Sequence, residues 1–158
     1  MVSVSRSIPY DELVEKLRKE DGLAILSCNA CANYCRTGGK RALASMTSDL
    51  KADGFDVVAS EVVPKACILT NLRNVKLPNG VDTILVMACV SGQRAANRIF
   101  PGRKVISSNV TLGIGYYDAS KKGSVLISPY PGYEDEVGKA FPGRPEAGDA
   151  PANGGGAT

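Results

Sequence analysis

Three cysteines fall close together at Cys28, Cys31 and Cys35, in the run Ser27-Cys-Asn-Ala-Cys-Ala-Asn-Tyr-Cys-Arg-Thr-Gly-Gly39. This C-x2-C-x3-C spacing places three thiols on one loop and one helical turn, and thiolates crowded in this way repel one another unless a metal neutralises them. Cys67 and Cys89 complete a set of five, and the chain has no histidine. A metal held by this chain alone must therefore rest on sulfur, carboxylate or water. Ser-His-Asp and Cys-His catalysis, mixed cysteine–histidine zinc sites and a haem on a proximal histidine are all excluded. An odd cysteine count with three members crowded together also argues against the disulfide framework of a small secreted domain.

The hydrophobic pattern arranges the rest of the chain around these thiols. Tyr10, Leu13, Val14 and Leu17 recur at i, i+3, i+4 and i+7, which predicts a helix over 11–20 ending before Gly22. The apolar run 23–27 reads as a buried strand, with Cys28 at its carboxyl end. A helix over 40–52 follows Gly38 and Gly39 and stops at Gly54. Residues 55–63 read as a strand and 68–74 as a short helix, with Cys67 between them. Residues 83–88 are the strongest buried-strand candidate, and Cys89 ends it. A helix over 91–100 follows, then strands over 105–110 and 124–128. Leu112-Gly-Ile-Gly-Tyr-Tyr117 reads as a tight glycine loop.

Helix and strand alternating in this order predict a single Rossmann- or flavodoxin-like three-layer α/β domain. Its sheet would be mostly parallel, with the strand carboxyl ends along one edge, and a cluster at those ends. Residues 1–140 form the expected iron–sulfur-binding domain. Residues 141–158, rich in Pro, Gly and Ala, read as a flexible tail.

The expected fold brings Cys28, Cys67 and Cys89 to one edge, and Cys31 and Cys35, four apart, share a helical face. Three ligands from one loop and one from far along the chain are the habit of iron–sulfur clusters, so one 4Fe–4S cluster is the leading expectation. An all-thiolate structural zinc is the alternative. Cys28, Cys31, Cys35 and Cys89 are the favoured ligands, and Cys67 competes with Cys89 for the fourth position. Gly38, Gly39 and Gly92 are expected to let backbone N–H groups approach the cluster sulfurs. Thr37-Gly38-Gly39-Lys40 lacks the spacing of a phosphate-binding loop. Tyr34, Tyr116 and Tyr117 are candidates to shield the cluster, and Tyr130-Pro-Gly-Tyr133 is a candidate docking contact.

The net charge of +3 is spread along the chain and gives no support for nucleic-acid binding. No apolar run reaches the roughly 18–20 residues of a membrane span. The first residues lack the order of a signal peptide, so a cytoplasmic location is expected.

The ordered cysteines carry a family resemblance. The run 27–39, Cys67 in Val-Val-Pro-Lys-Ala-Cys, and Ile84-Leu-Val-Met-Ala-Cys-Val-Ser-Gly-Gln93 resemble the amino-terminal part of the MetV-type small subunit of anaerobic methylenetetrahydrofolate reductases. This family is also described as methylenetetrahydrofolate reductase C-terminal. Ser107-Ser-Asn-Val-Thr-Leu-Gly113 looks like its following Asn-Thr-Leu stretch. The resemblance covers roughly residues 10 to 117 and the cysteine-cluster domain only, because the chain has no cysteine after Cys89. It implies a 4Fe–4S electron-transfer subunit, itself non-catalytic, in a hetero-oligomer with a flavin-dependent reductase subunit and other, heterodisulfide-reductase-like, electron-transfer subunits. A redox-silent scaffold subunit and a thiol- or cluster-dependent enzyme are the other readings.

Overall fold

The computed structural model describes residues 1–142. Val2–Ser7 form strand β1, with Val2 and Val4 turned inward. A short helix α1, Tyr10–Val14, leads to β2, Gly22–Cys28. Helices α2, Cys31–Tyr34, and α3, Gly39–Ala52, precede β3, Asp56–Val63. Then come α4, Leu69–Arg73; β4, Thr83–Met87; α5, Val90–Ile99; and β5, Lys104–Ser107. Three further strands follow: β6, Asn109–Asp118; β7, Gly123–Pro129; and β8, Ala140–Phe141.

These strands build two sheets. The order β3-β2-β4-β5 is parallel throughout, and the order β1-β6-β7-β8 is antiparallel throughout. The expectation of a single, mostly parallel, Rossmann- or flavodoxin-like domain is therefore corrected. Two local features defeat it. The expected strand over 105–110 is cut at Ser108: β5 completes the parallel sheet, and β6 starts one residue later in the other sheet. The glycine loop over 112–117 is the middle of β6, the longest strand described. Its glycines serve close strand approach. A Cβ on Gly115 would lie 1.7 Å from the Val125 carbonyl oxygen, and one on Gly113 would lie 2.2 Å from that of Ser128. Register shifts between Ile114 and Gly115 and between Val4 and Ser5 bend this sheet.

The parallel sheet is covered on both faces. Side chains alternate along its strands, so Ala24, Leu26, Cys28, Ile84, Val86 and Ala88 join one core with Leu72 of α4, and Ala95 and Ala96 of α5. Leu23, Ile25, Leu85 and Met87 join the other with Leu13, and with Leu43 and Leu50 of α3. The expected helix over 11–20 shortens to α1. Beyond it, Lys16 and Leu17 bond back only three residues, yet Leu13 and Leu17 stay buried on the anticipated face. A third core, between strands of the antiparallel sheet and α2, holds Val2, Val4, Leu112, Leu126 and Cys35.

The edge strand β3 alternates partly buried Val57, Ala59 and Val62 with the exposed Asp56, Ser60 and Glu61. Of the segment read as a tail, Phe141 belongs to β8, opposite Ser124, and Phe141 and Pro142 line a pocket beside Cys35. The remainder of that segment lies outside the described residues.

Gly115→Ala is expected to destabilise the protein by about 3 kcal/mol, since the new methyl meets backbone that cannot yield. Gly102→Ala, at φ 84° but facing open space, should cost only about 1 kcal/mol of backbone strain. The urea unfolding midpoints of the two variants check the contrast.

Candidate functional site

The carboxyl edge of the parallel sheet is set by three chain ends. Strands β2 and β4 are neighbours whose onward connections lead in opposite directions, to β3 and to β5, and such a division opens a crevice between their carboxyl ends. Here the chain itself enters that crevice. A Cβ on Gly38 would stand 2.8 Å from the Met87 carbonyl oxygen and 2.9 Å from that of Cys28, the last residues of β4 and β2. Asn109 closes it from the other sheet. Its buried amide donates to the carbonyl of Thr37 at 3.2 Å and to that of Ala88 at 3.3 Å, and its oxygen accepts from the Ser108 hydroxyl. Thr111 of β6 accepts the first N–H of α5 at 2.9 Å. Both residues were missed in the sequence because they lie where the β5–β6 break was not seen; Asn next to two serines was the available signal.

Three of the five thiols sit beside this edge. Cys28 ends β2 and is buried; its sulfur accepts the N–H of Ala66 at 3.5 Å. Cys67, next in the chain, is exposed. Cys89 follows β4 and caps α5 from a buried position. Gly92 packs under the same loop, since a Cβ there would stand 3.0 Å from that of Ala66 and 2.7 Å from that of Ala88. Partial burial pushes the Cys67 thiol up, the neighbouring Cys89 and Cys28 add to this, and Lys65 acts the other way. The carboxyl ends of three adjacent strands, β3, β2 and β4, thus supply one thiol each.

The other two thiols take a different direction. Helix α2 makes a single turn and carries Cys31 and Cys35 to the third core. The Cys35 sulfur accepts the Ser5 N–H at 3.5 Å, and its thiol faces the Ser3 carbonyl at 3.7 Å. Cys31 is half-buried. The structure therefore divides the expected ligands into a trio, Cys28, Cys67 and Cys89, and a pair, Cys31 and Cys35.

The expected glycines are close-packing positions. The Gly38 N–H donates to the Ala32 carbonyl at 3.1 Å, and Gly39, at φ 85°, abuts the Asn33 side chain. Tyr34 and Tyr117 are both exposed and lie ring to ring at 5.2 Å, above the turn that holds Cys31. Tyr116 and Tyr130 are exposed as well.

Donor chemistry and spacing bear on which metal suits the trio. Sulfur is the right donor for iron–sulfur clusters and for zinc. A single tetrahedral zinc with bonds of about 2.3 Å needs four sulfurs about 3.8 Å apart. Among the described residues no three Cys, Asp or Glu side chains are gathered to hold one metal ion. Three thiolates are one fewer than either an iron–sulfur cluster or a structural zinc takes. Also among the described residues, no helix is long and apolar enough to cross a membrane.

Compared with models of known protein families, with characterised proteins and with solved structures, the chain matches none.

In the metal-free protein, the pH midpoint for iodoacetamide alkylation of Cys67 should lie above that of an ordinary thiol. Cys89→Ser removes a repelling charge and should move the midpoint down. Peptide-resolved mass spectrometry over a pH series measures both. An unmoved midpoint would separate Cys89 from Cys67.

Proposed function

We propose that this chain is a small iron–sulfur electron-transfer subunit, with its cluster seated at the carboxyl edge of the parallel sheet on Cys28, Cys67 and Cys89. The observation that carries the reading is the topology: Cys28 ends β2, and Cys67 and Cys89 follow β3 and β4, three adjacent strands of the parallel sheet. A cluster bound there supplies one-electron chemistry. The chain's own part is to hold and tune it. The Ala66 N–H points at the Cys28 sulfur, and such donors stabilise thiolate charge and raise a cluster's potential. The amino terminus of α5, capped by Cys89, favours negative charge at the same place. The fourth ligand comes from outside the trio.

The order of the cysteines, in its resemblance to the MetV-type small subunit, supports a cytoplasmic hetero-oligomer in which a flavin-dependent reductase subunit performs the substrate chemistry. Exposed Cys67 lies on the face through which electrons pass to that partner or to a further electron-transfer subunit.

Anaerobic reconstitution with ferrous iron and sulfide should give a brown protein whose broad visible absorbance bleaches on reduction. Cys67→Ser and Cys28→Ser should lose most of that absorbance and of the bound iron, whereas Cys35→Ser should retain them. A colourless protein with one zinc per chain, or a cluster lost in Cys35→Ser and kept in Cys67→Ser, overturns the assignment.

A further inference from the structure

Basic residues that look scattered in the sequence gather on one layer of the fold. From Val62 to Tyr117 the chain carries seven lysines and arginines against a single acid, Asp82, so this stretch is net +6 in a chain of net +3, and the remainder is net negative. Asp82 stands at the amino edge of the parallel sheet, where it accepts the Gly22 N–H at 2.9 Å. The layer formed by α4, α5 and their connections therefore shows one sign. Lys65, Arg73, Lys76, Arg94 and Arg98 are all exposed on it, and none is in a salt bridge among the described residues. The last acid before it in the chain, Glu61, belongs to the edge strand β3. The opposite layer is balanced: α1 and α3 carry Lys40, Arg41 and Lys51 against Asp11, Glu12 and Asp49.

Nothing inside the described molecule compensates this one-sided charge. Arg94 and Arg98 are four apart on α5 and repel each other along one face. The carboxyl terminus of the helix favours Arg98, in the last turn, but Arg94 lies in the middle and gains nothing from it. The layer also begins at the thiol trio. Exposed Cys67 precedes α4, Ile68 caps that helix and is 46% exposed, and Cys89 caps α5. An apolar contact beside a charged field is the anatomy of a protein interface. Between Val62 and Ile99 there is no aromatic residue on which nucleic-acid bases could stack.

We infer that the α4–α5 layer docks a small acidic electron-carrier protein against the strand-end thiols; this rests on the iron–sulfur reading above and names the partner's chemistry. Carboxylates of the carrier meet Arg94, Arg98 and Lys65, speed the encounter and fix its orientation, so that the carrier's redox centre faces Cys67. The reduced carrier passes one electron to the oxidised cluster; no bond is made and no proton moves.

The test uses the full-length chain, both metal-free and reconstituted with iron and sulfide, and a small acidic bacterial ferredoxin as the probe. Calorimetry at about 0.1 M ionic strength, where the Debye length is about 10 Å, should show binding that weakens as salt is added. Arg94→Glu/Arg98→Glu should weaken it about tenfold or more, because like charges then face each other across the interface. Arg41→Glu/Lys51→Glu makes the same change in net charge on the opposite layer and should alter binding by no more than about twofold. Both double variants should keep the wild-type iron content and visible absorbance. A chain that takes up no cluster yet still binds the ferredoxin through Arg94 and Arg98 overturns the electron-transfer reading and leaves the docking face standing. A brown chain that does not bind the ferredoxin, or whose binding is unmoved by Arg94→Glu/Arg98→Glu or moved equally by Arg41→Glu/Lys51→Glu, overturns the docking face alone. Tighter binding to a short DNA or RNA duplex than to the ferredoxin, lost in Arg94→Glu/Arg98→Glu, also overturns it.

Discussion

The side-chain amide of Asn109 joins the two halves of this molecule. It reaches from the first residue of β6, in the antiparallel sheet, to the carbonyls of Thr37 and Ala88, which belong to the segments leaving β2 and β4. Ala88 lies just past β4 and Thr37 just before α3, both outside the parallel ladder, and both residues are buried. Without a donor from the second sheet each would carry an uncompensated desolvation cost. The amide has the right inventory: two N–H donors for the two carbonyls, and one oxygen that takes the Ser108 hydroxyl. Close packing does the rest. Gly38 fits between the ends of β2 and β4 only because it has no side chain, and Thr37, hydrogen-bonded to Ser5, extends the contact into β1. The crevice that parallel sheets ordinarily leave for a ligand is thus filled by the protein's own chain.

This closure explains how the thiols divide. Strand β2 alternates its side chains between two cores, which sends Cys28 towards α4 and α5, where Ala66 and Cys67 meet it. The chain then turns through α2, and that turn must cover the antiparallel sheet before Gly38 returns to the strand ends. Cys31 and Cys35 ride on the covering turn. Neighbours in sequence therefore join different cores.

Much of the parallel half was legible from the chain. The continuous apolar runs at 23–27 and 83–88 are buried on both faces, as their composition requires, and the placement of Cys28, Cys67 and Cys89 at three strand ends follows from them. Of the antiparallel half only the strand over 124–128, which is β7, was legible. The glycines of this half imitate a loop, because the signal of a strand in close contact with its neighbour is the same residue that marks a turn. Its first strand, β1, is short and rich in serine, and it pairs with β6, whose first residue lies a hundred positions later, a relation that no local window contains. The C-x2-C-x3-C spacing is compatible with one face of a helix or with a loop around a metal; which sheet lies opposite decides where those sulfurs point, and that sheet was invisible.

The pattern of β3 bears on how this chain keeps its own company. A strand with one side unpaired among the described residues, as β3 has, offers a row of backbone donors and acceptors to any second copy. On β3 that row is interleaved with Asp56 and Glu61, and two copies aligned there in parallel would set like carboxylates against each other. Along the β3 margin of the parallel sheet, charge on either side of the exposed Val58 opposes fibre-like stacking.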